Sequence, residues 1–160
     1  MAADEPRGFL VDTNVLSNRE TLDERLPVAR WIRANAHLIR ISVITVAEMR
    51  RGLVLRRAEV ERMRDARARR REEAKLDRKI AWYEELRSRF KDRIEPIDAD
   101  VAERWADVSV RFPSLRDGDK AILATALVRG YGIATRNLGD FKNAGVPLVD
   151  PFDPDSWPAE

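Results

Sequence analysis

Phe9-Leu10-Val11-Asp12-Thr13-Asn14 decides how the rest of the chain is read: three apolar residues stop at a carboxylate, with turn-prone Asn14, Ser17 and Asn18 close behind. A run this short and this apolar reads as a buried strand. Leu38-Ile39-Arg40-Ile41-Ser42-Val43 repeats the pattern, Arg93-Ile94-Glu95-Pro96-Ile97 is a shorter candidate broken by its proline, and Gly132–Thr135 and Val146–Val149 supply two more. Helices are expected between them: around residues 22–36, from Thr45 onward, over about 99–111, and over Asp119–Val128 with Gly130 as its stop. Residues 55–91 hold no Gly or Pro and are rich in Arg, Glu, Ala and Leu, so they read as one long helix or a helical hairpin. Strands alternating with helices imply an α/β fold whose parallel sheet is covered on both faces. No internal repeat or linker divides the 160 residues, and a single domain is expected.

With 44% hydrophobic residues the chain can bury an ordinary core. No stretch approaches the roughly 20 apolar residues that cross a bilayer, and the first residues lack the basic start and long apolar run of a signal peptide. A soluble, cytoplasmic protein is expected. There is no cysteine and one histidine, His37. That excludes disulfides, thiolate-bound zinc, a cysteine nucleophile and an intramolecular His–His acid/base pair, so any catalysis has to rest largely on carboxylates. The net charge of +2 hides an asymmetry, because residues 50–93 hold 17 of the 30 Lys/Arg but only 9 of the 28 Asp/Glu. A basic segment beside an acidic body suits a phosphate-rich partner, although solvated helices often carry such bias with no partner.

In an open parallel sheet the functional crevice lies at the carboxyl ends of the strands, where strand order reverses. Asp12 sits at such an end, and a carboxylate buried there is costly unless it is paired or binds a cation; the plainer reading is an Asx turn or cap. Thr45-Val46-Ala47-Glu48 matches a capping box, which alone could explain Glu48. Asp117 and Asp119 both precede the small-residue helix and either could be its N-cap. Asn137 and Asp140 could simply make the turn after a strand. These separate explanations leave one thing out: the acids recur at strand-to-helix junctions, which a single parallel sheet gathers at one edge. Oxygen-only ligands select hard cations, and clustered carboxylates near a basic surface suit metal-assisted phosphodiester hydrolysis.

Four segments carry a resemblance to a known family: Phe9-Leu-Val-Asp12-Thr-Asn14, Ser42-Val-Ile-Thr45-Val-Ala-Glu48-Met-Arg-Arg-Gly52, Asp119-Lys-Ala-Ile122-Leu-Ala124-Thr-Ala126, and Thr135-Arg-Asn137-Leu-Gly-Asp140-Phe141. In that order they are similar to the successive motifs of the PIN domain, especially of VapC and FitB-like toxins, over about residues 9–152. The resemblance implies a three-layer α/β/α domain with about five parallel strands, ribonuclease activity, Mg²⁺ or Mn²⁺, a homodimer and a VapB-like antitoxin. Asp12, Glu48 and Asp119 match its three central acids, with Asp12 and Asp119 implied as metal ligands. Asp117 falls out of register. Asp140 is taken for the fourth acid, Asn137 for a neutral supporting oxygen, and Thr13 for support of Asp12 through its hydroxyl. The motifs do not cover the basic arm at about 55–91 closely; Arg69, Arg70 and Arg71 are its candidates for the RNA backbone.

Two rival readings use the same residues. An aspartyl-phosphate enzyme also places an Asp at the end of the first strand, but Asn14 stands two residues on where the haloacid-dehalogenase-like pattern has a second Asp. A non-catalytic regulatory module would bind nucleic acid or protein through the basic helices and use its acids as caps.

Overall fold

Alternate side chains of the first strand enter two different cores. Phe9 and Val11 join an apolar cluster with Trp31, Met49, Leu53 and Tyr83, whereas Leu10 joins a second with Val101, Val108, Ile122 and Leu123. Both faces are therefore dry, which is why the strands read as unbroken apolar runs. The computed structural model describes residues 6–16 and 23–157. Its strands are β1 (Phe9–Val11), β2 (Ile39–Ser42), β3 (Ile94–Glu95), β4 (Gly132–Ala134) and β5 (Leu148–Val149), all parallel in the order β3-β2-β1-β4-β5. The α-helices are α1 (Thr13–Leu16), α2 (Pro27–Ala34), α3 (Val43–Glu61), α4 (Ala66–Arg89), α5 (Ala99–Arg111) and α6 (Asp117–Arg129). Helices α2, α3 and α4 cover one face, α5 and α6 the other, giving the expected three layers. None is long and apolar enough to cross a membrane.

Several boundaries differ from expectation for identifiable reasons. Of the two expected readings of residues 55–91 the hairpin is the one found: α3 ends at Glu61, and the Asp65 carboxylate opens α4 by accepting the amides of Arg67 and Ala68 at 2.8 and 2.9 Å. The proline at 96 does limit β3, which is an edge strand of two residues. The helix expected around 22–36 is α2, opened by Pro27 at its first position; residue 22, like Ser17 and Asn18, lies outside the described residues. Gly130 closes α6 at φ 70°, the left-handed conformation glycine adopts without a Cβ penalty. Helices α5 and α6 pack as a pair, tied at their far ends by Arg129 with Asp98.

The start of α3 is corrected most clearly. Ser42, not Thr45, is its N-cap, with Oγ accepting the Ile44 amide at 3.1 Å. Thr45 is fully buried inside the first turns, and its Oγ1 has no hydrogen-bond partner. No capping box therefore holds Glu48. Ser42→Ala is expected to cost about 1 kcal/mol, as loss of a cap does. Thr45→Val, which replaces a buried unpartnered hydroxyl by a methyl of the same shape, is expected to be neutral or stabilising. Urea denaturation of both variants checks this; a larger loss for Thr45→Val would restore the capping box.

Candidate active site

β1 is flanked by β2 on one side and β4 on the other, so strand order reverses between β1 and β4 and opens a crevice at their carboxyl ends. Asp12 and Thr135 are the residues that follow those two strands. The Asp12 amide donates to the Ala134 carbonyl at 3.0 Å, extending the ladder by one step, and the Thr135 hydroxyl donates to Asp12 Oδ2 at 2.8 Å. Asn14 Nδ2 donates to the same oxygen at 2.9 Å, and the Thr13 amide to Oδ1 at 2.6 Å. An ordinary helix cap would take the second or third amide of α1. This carboxylate instead faces the crevice junction and is only 6% exposed.

Glu48 arrives from α3 and Asp119 from α6. The Thr13 hydroxyl donates to Glu48 Oε2 at 2.6 Å. One hydroxyl carries one proton, so it holds Glu48, while the support Thr13 gives Asp12 comes from its amide. Gly118 sets the approach of α6: a Cβ there would lie 3.0 Å from Glu48 Oε1 and 3.3 Å from Ile44 Cγ2. A side chain at 118 would press on Glu48 and Ile44, which would have to shift by a few tenths of an ångström. Asp119 is not the N-cap of α6, a position held by Arg116 without a side-chain cap bond; it lies in the first turn, 4% exposed, where the helix N-terminus favours its anion. Because α6 follows α5, this junction joins helix to helix. The gathering of acids is thus real, but its third member does not come from a strand end.

Burial raises the Asp12 pKa above the ordinary carboxylate value; the bonds from Thr135 and Thr13 pull it down, and the negative charges of Asp119 and Glu48 push it up again. Three carboxylates thus feel one another across the crevice. The profile of the PIN domain matches residues 9–146. The chain belongs to the PIN-domain family. It is 28% identical over 151 residues, 91% of this chain and 99% of that protein, to the VapC ribonuclease Y4jK of Sinorhizobium fredii. In three dimensions it resembles FitAcB from Neisseria gonorrhoeae, with a TM-score of 0.58, 28% identity, and 89% and 97% of the two chains covered. A toxin–antitoxin complex from Klebsiella pneumoniae is similar too, at TM-score 0.56 and 25% identity, covering 91% of this chain and 99% of that one.

Other expected site residues of this PIN domain lie elsewhere. Asp140 is exposed in the short turn Leu138–Phe141, its amide bonded to the Asn137 carbonyl at 3.1 Å. Asn137 is also exposed, and its amide donates to Thr135 Oγ1 at 3.0 Å, so its backbone buttresses the residue that holds Asp12. Asp117 is paired with Lys120 at 3.2 Å with its side chain 86% exposed, outside the cluster. Arg69, Arg70 and Arg71 occupy the exposed first turns of α4. Glu48 lies thirteen residues before the end of α3, roughly 20 Å along its axis from the hairpin tip where those arginines start.

Sequence reasoning missed Thr135, Gly118 and Arg116 as parts of the site. Thr135 closes the strand stretch Gly132–Thr135, which was the available signal; nothing in the sequence marked Gly118. Arg116 Nε donates to Asp119 Oδ2 at 2.9 Å and its Nη2 to Oδ1 at 3.3 Å. As the side chains stand, no three carboxylates among the described residues are arranged to hold one ion. The donor set nevertheless fits a hard cation such as Mg²⁺, which keeps several waters and takes one or two carboxylates: all its donors are oxygens, and Asp12 and Asp119 are buried anions repelling each other.

A carboxyl with a raised folded pKa favours the protonated native state, so its contribution to stability falls as pH rises from the ordinary carboxylate value through the raised one. Asp12→Asn removes that loss. In the absence of divalent cations the variant is expected to be at least as stable as the parent at neutral pH, with the difference closing as pH falls through the Asp12 titration. Urea unfolding across pH measures it, and a difference that does not change with pH would contradict the assignment.

Proposed function

We propose that this chain is a divalent-metal-dependent endoribonuclease, the toxin of a VapBC-type toxin–antitoxin pair, and that its residues work as one domain. The observation that carries this reading is the convergence of Asp12, Glu48 and Asp119 at the strand-order reversal, where burial and like charge leave Asp12 short of a counter-ion. It is supported by the match to the PIN domain, the likeness to a VapC ribonuclease, and the likeness to a toxin–antitoxin complex.

Asp12 and Asp119 would hold Mg²⁺ or Mn²⁺. When bound, such a cation lowers the pKa of a coordinated water and offsets charge on the phosphate. Thr135, Asn14 and the Thr13 amide fix the Asp12 carboxylate in one orientation; Oδ1 takes a single bond from them and keeps a lone pair for a ligand. Glu48, aimed by the Thr13 hydroxyl, stands ready to accept a proton from the attacking water. Asp140 would serve as the fourth acid from the rim, and the Asn137 amide supports Thr135. RNA, a VapB-like antitoxin and a second copy of the chain are the partners of this reading. Among the described residues, Val54 and Leu55 on α3 and Val110 on α5 are the large apolar side chains left exposed for protein contacts.

RNA cleavage by purified variants tests the assignment. Asp12→Asn and Asp119→Asn are expected to abolish cleavage in folded protein, Asp117→Asn to leave it near normal, and Asp140→Asn to lower it more than Asn137→Ala. Retained cleavage in folded Asp12→Asn would refute the metal site. The arm is proposed to grip the RNA backbone with Arg69, Arg70 and Arg71: neutralising them should flatten the salt dependence of RNA binding by about 0.7 per lost contact, and an unchanged slope would assign them to solvent or the antitoxin.

A further inference from the structure

Arg116 is the one cation bonded to the acidic cluster among the described residues, and its placement is unusual for an ion pair. Its partner Asp119 is 5% exposed in its side chain, whereas Arg116's own side chain is 72% exposed. The guanidinium thus reaches inward from the rim to a buried carboxylate and covers both of its oxygens, at 2.9 and 3.3 Å. Its charge is favoured chiefly by Asp119, with smaller contributions from Glu48 and Asp12.

Those facts describe a site whose cation is supplied by the protein itself. Resting on the metal-dependent reading above, we propose that Arg116 is an exchangeable counter-ion: it holds Asp119 while no divalent cation is bound, yields that carboxylate when one arrives, and then turns outward to a phosphate of the RNA. Three physical points support the exchange. A guanidinium lying across both oxygens of a carboxylate sets a positive charge against it, so an arriving cation is repelled until that charge moves away. An exposed arginine at the cap position of α6 can swing without disturbing the core. Once released at the mouth of the crevice, a planar, permanently charged guanidinium is suited to bind phosphate.

The test is calorimetric titration of Mn²⁺ into the full chain and into Arg116→Gln, without nucleic acid, followed by binding of a cleavage-resistant phosphorothioate RNA strand to each Mn²⁺-loaded protein at several salt concentrations. Arg116→Gln is expected to bind Mn²⁺ on the order of tenfold more tightly, because the internal competitor is gone. Its RNA binding is expected to be weaker, with a salt slope shallower by about 0.7. Equal or weaker Mn²⁺ binding by the variant would overturn the exchange, and an unchanged salt slope would overturn the phosphate contact. Absence of Mn²⁺ binding by both proteins would overturn the metal-site reading itself, an outcome distinct from either of these.

Discussion

The hydrogen bond from Thr135 to Asp12 joins the two strands between which the sheet reverses, 123 residues apart in the chain, at the point where a charge is hardest to bury. A carboxylate 6% exposed needs partners, and the threonine that follows β4 delivers one, a step beyond the ladder that pairs Val11 with Ala134. Asn14 and Thr13 add two more from the turn into α1. Even so, burial and the neighbouring acids keep the Asp12 pKa above its ordinary value. The fold thus positions this anion firmly while leaving it under-compensated, a combination that costs stability and suits the binding of a hard cation.

The rest of the architecture brings two more acids to that point. α3 starts directly from β2 under the Ser42 cap, which carries Glu48 to within reach of the Thr13 hydroxyl. The glycine before Asp119 allows α6 to close on α3. At the opposite end of the same helix, Arg129 is paired with Asp98 and Glu95, and Glu95 also accepts the Tyr131 hydroxyl at 2.8 Å. Helix α6 is thus anchored at its C-terminal end while its first turn carries Asp119 against α3.

The layers were legible because buried parallel strands announce themselves as short apolar runs and α6 as a run of small residues; all five strands fall within the stretches that composition marked. What could not be read was chemistry that depends on register across the sheet. Thr135 looks like any strand-end threonine until β4 is paired with β1. The Thr45–Glu48 spacing mimics a cap because a helical turn places the two on one side whatever their task, and only the start of α3 at Val43 separates the readings. Arg116 went unnoticed because a lone arginine before a helix has no pattern of its own. Asp140 shows a different limit: the motif names the carboxylate, but its exposed place in the turn Leu138–Phe141 depends on how the chain leaves β4.

The measurement that bears most directly on the central claim is anomalous diffraction from crystals of the full chain grown with Mn²⁺. One anomalous peak, or a close pair, is expected within ligand distance of an Asp12 and an Asp119 oxygen, at about 2.0–2.3 Å for oxygen donors of small divalent cations. A peak bound only elsewhere, or none at a Mn²⁺ concentration that supports RNA cleavage, would contradict it.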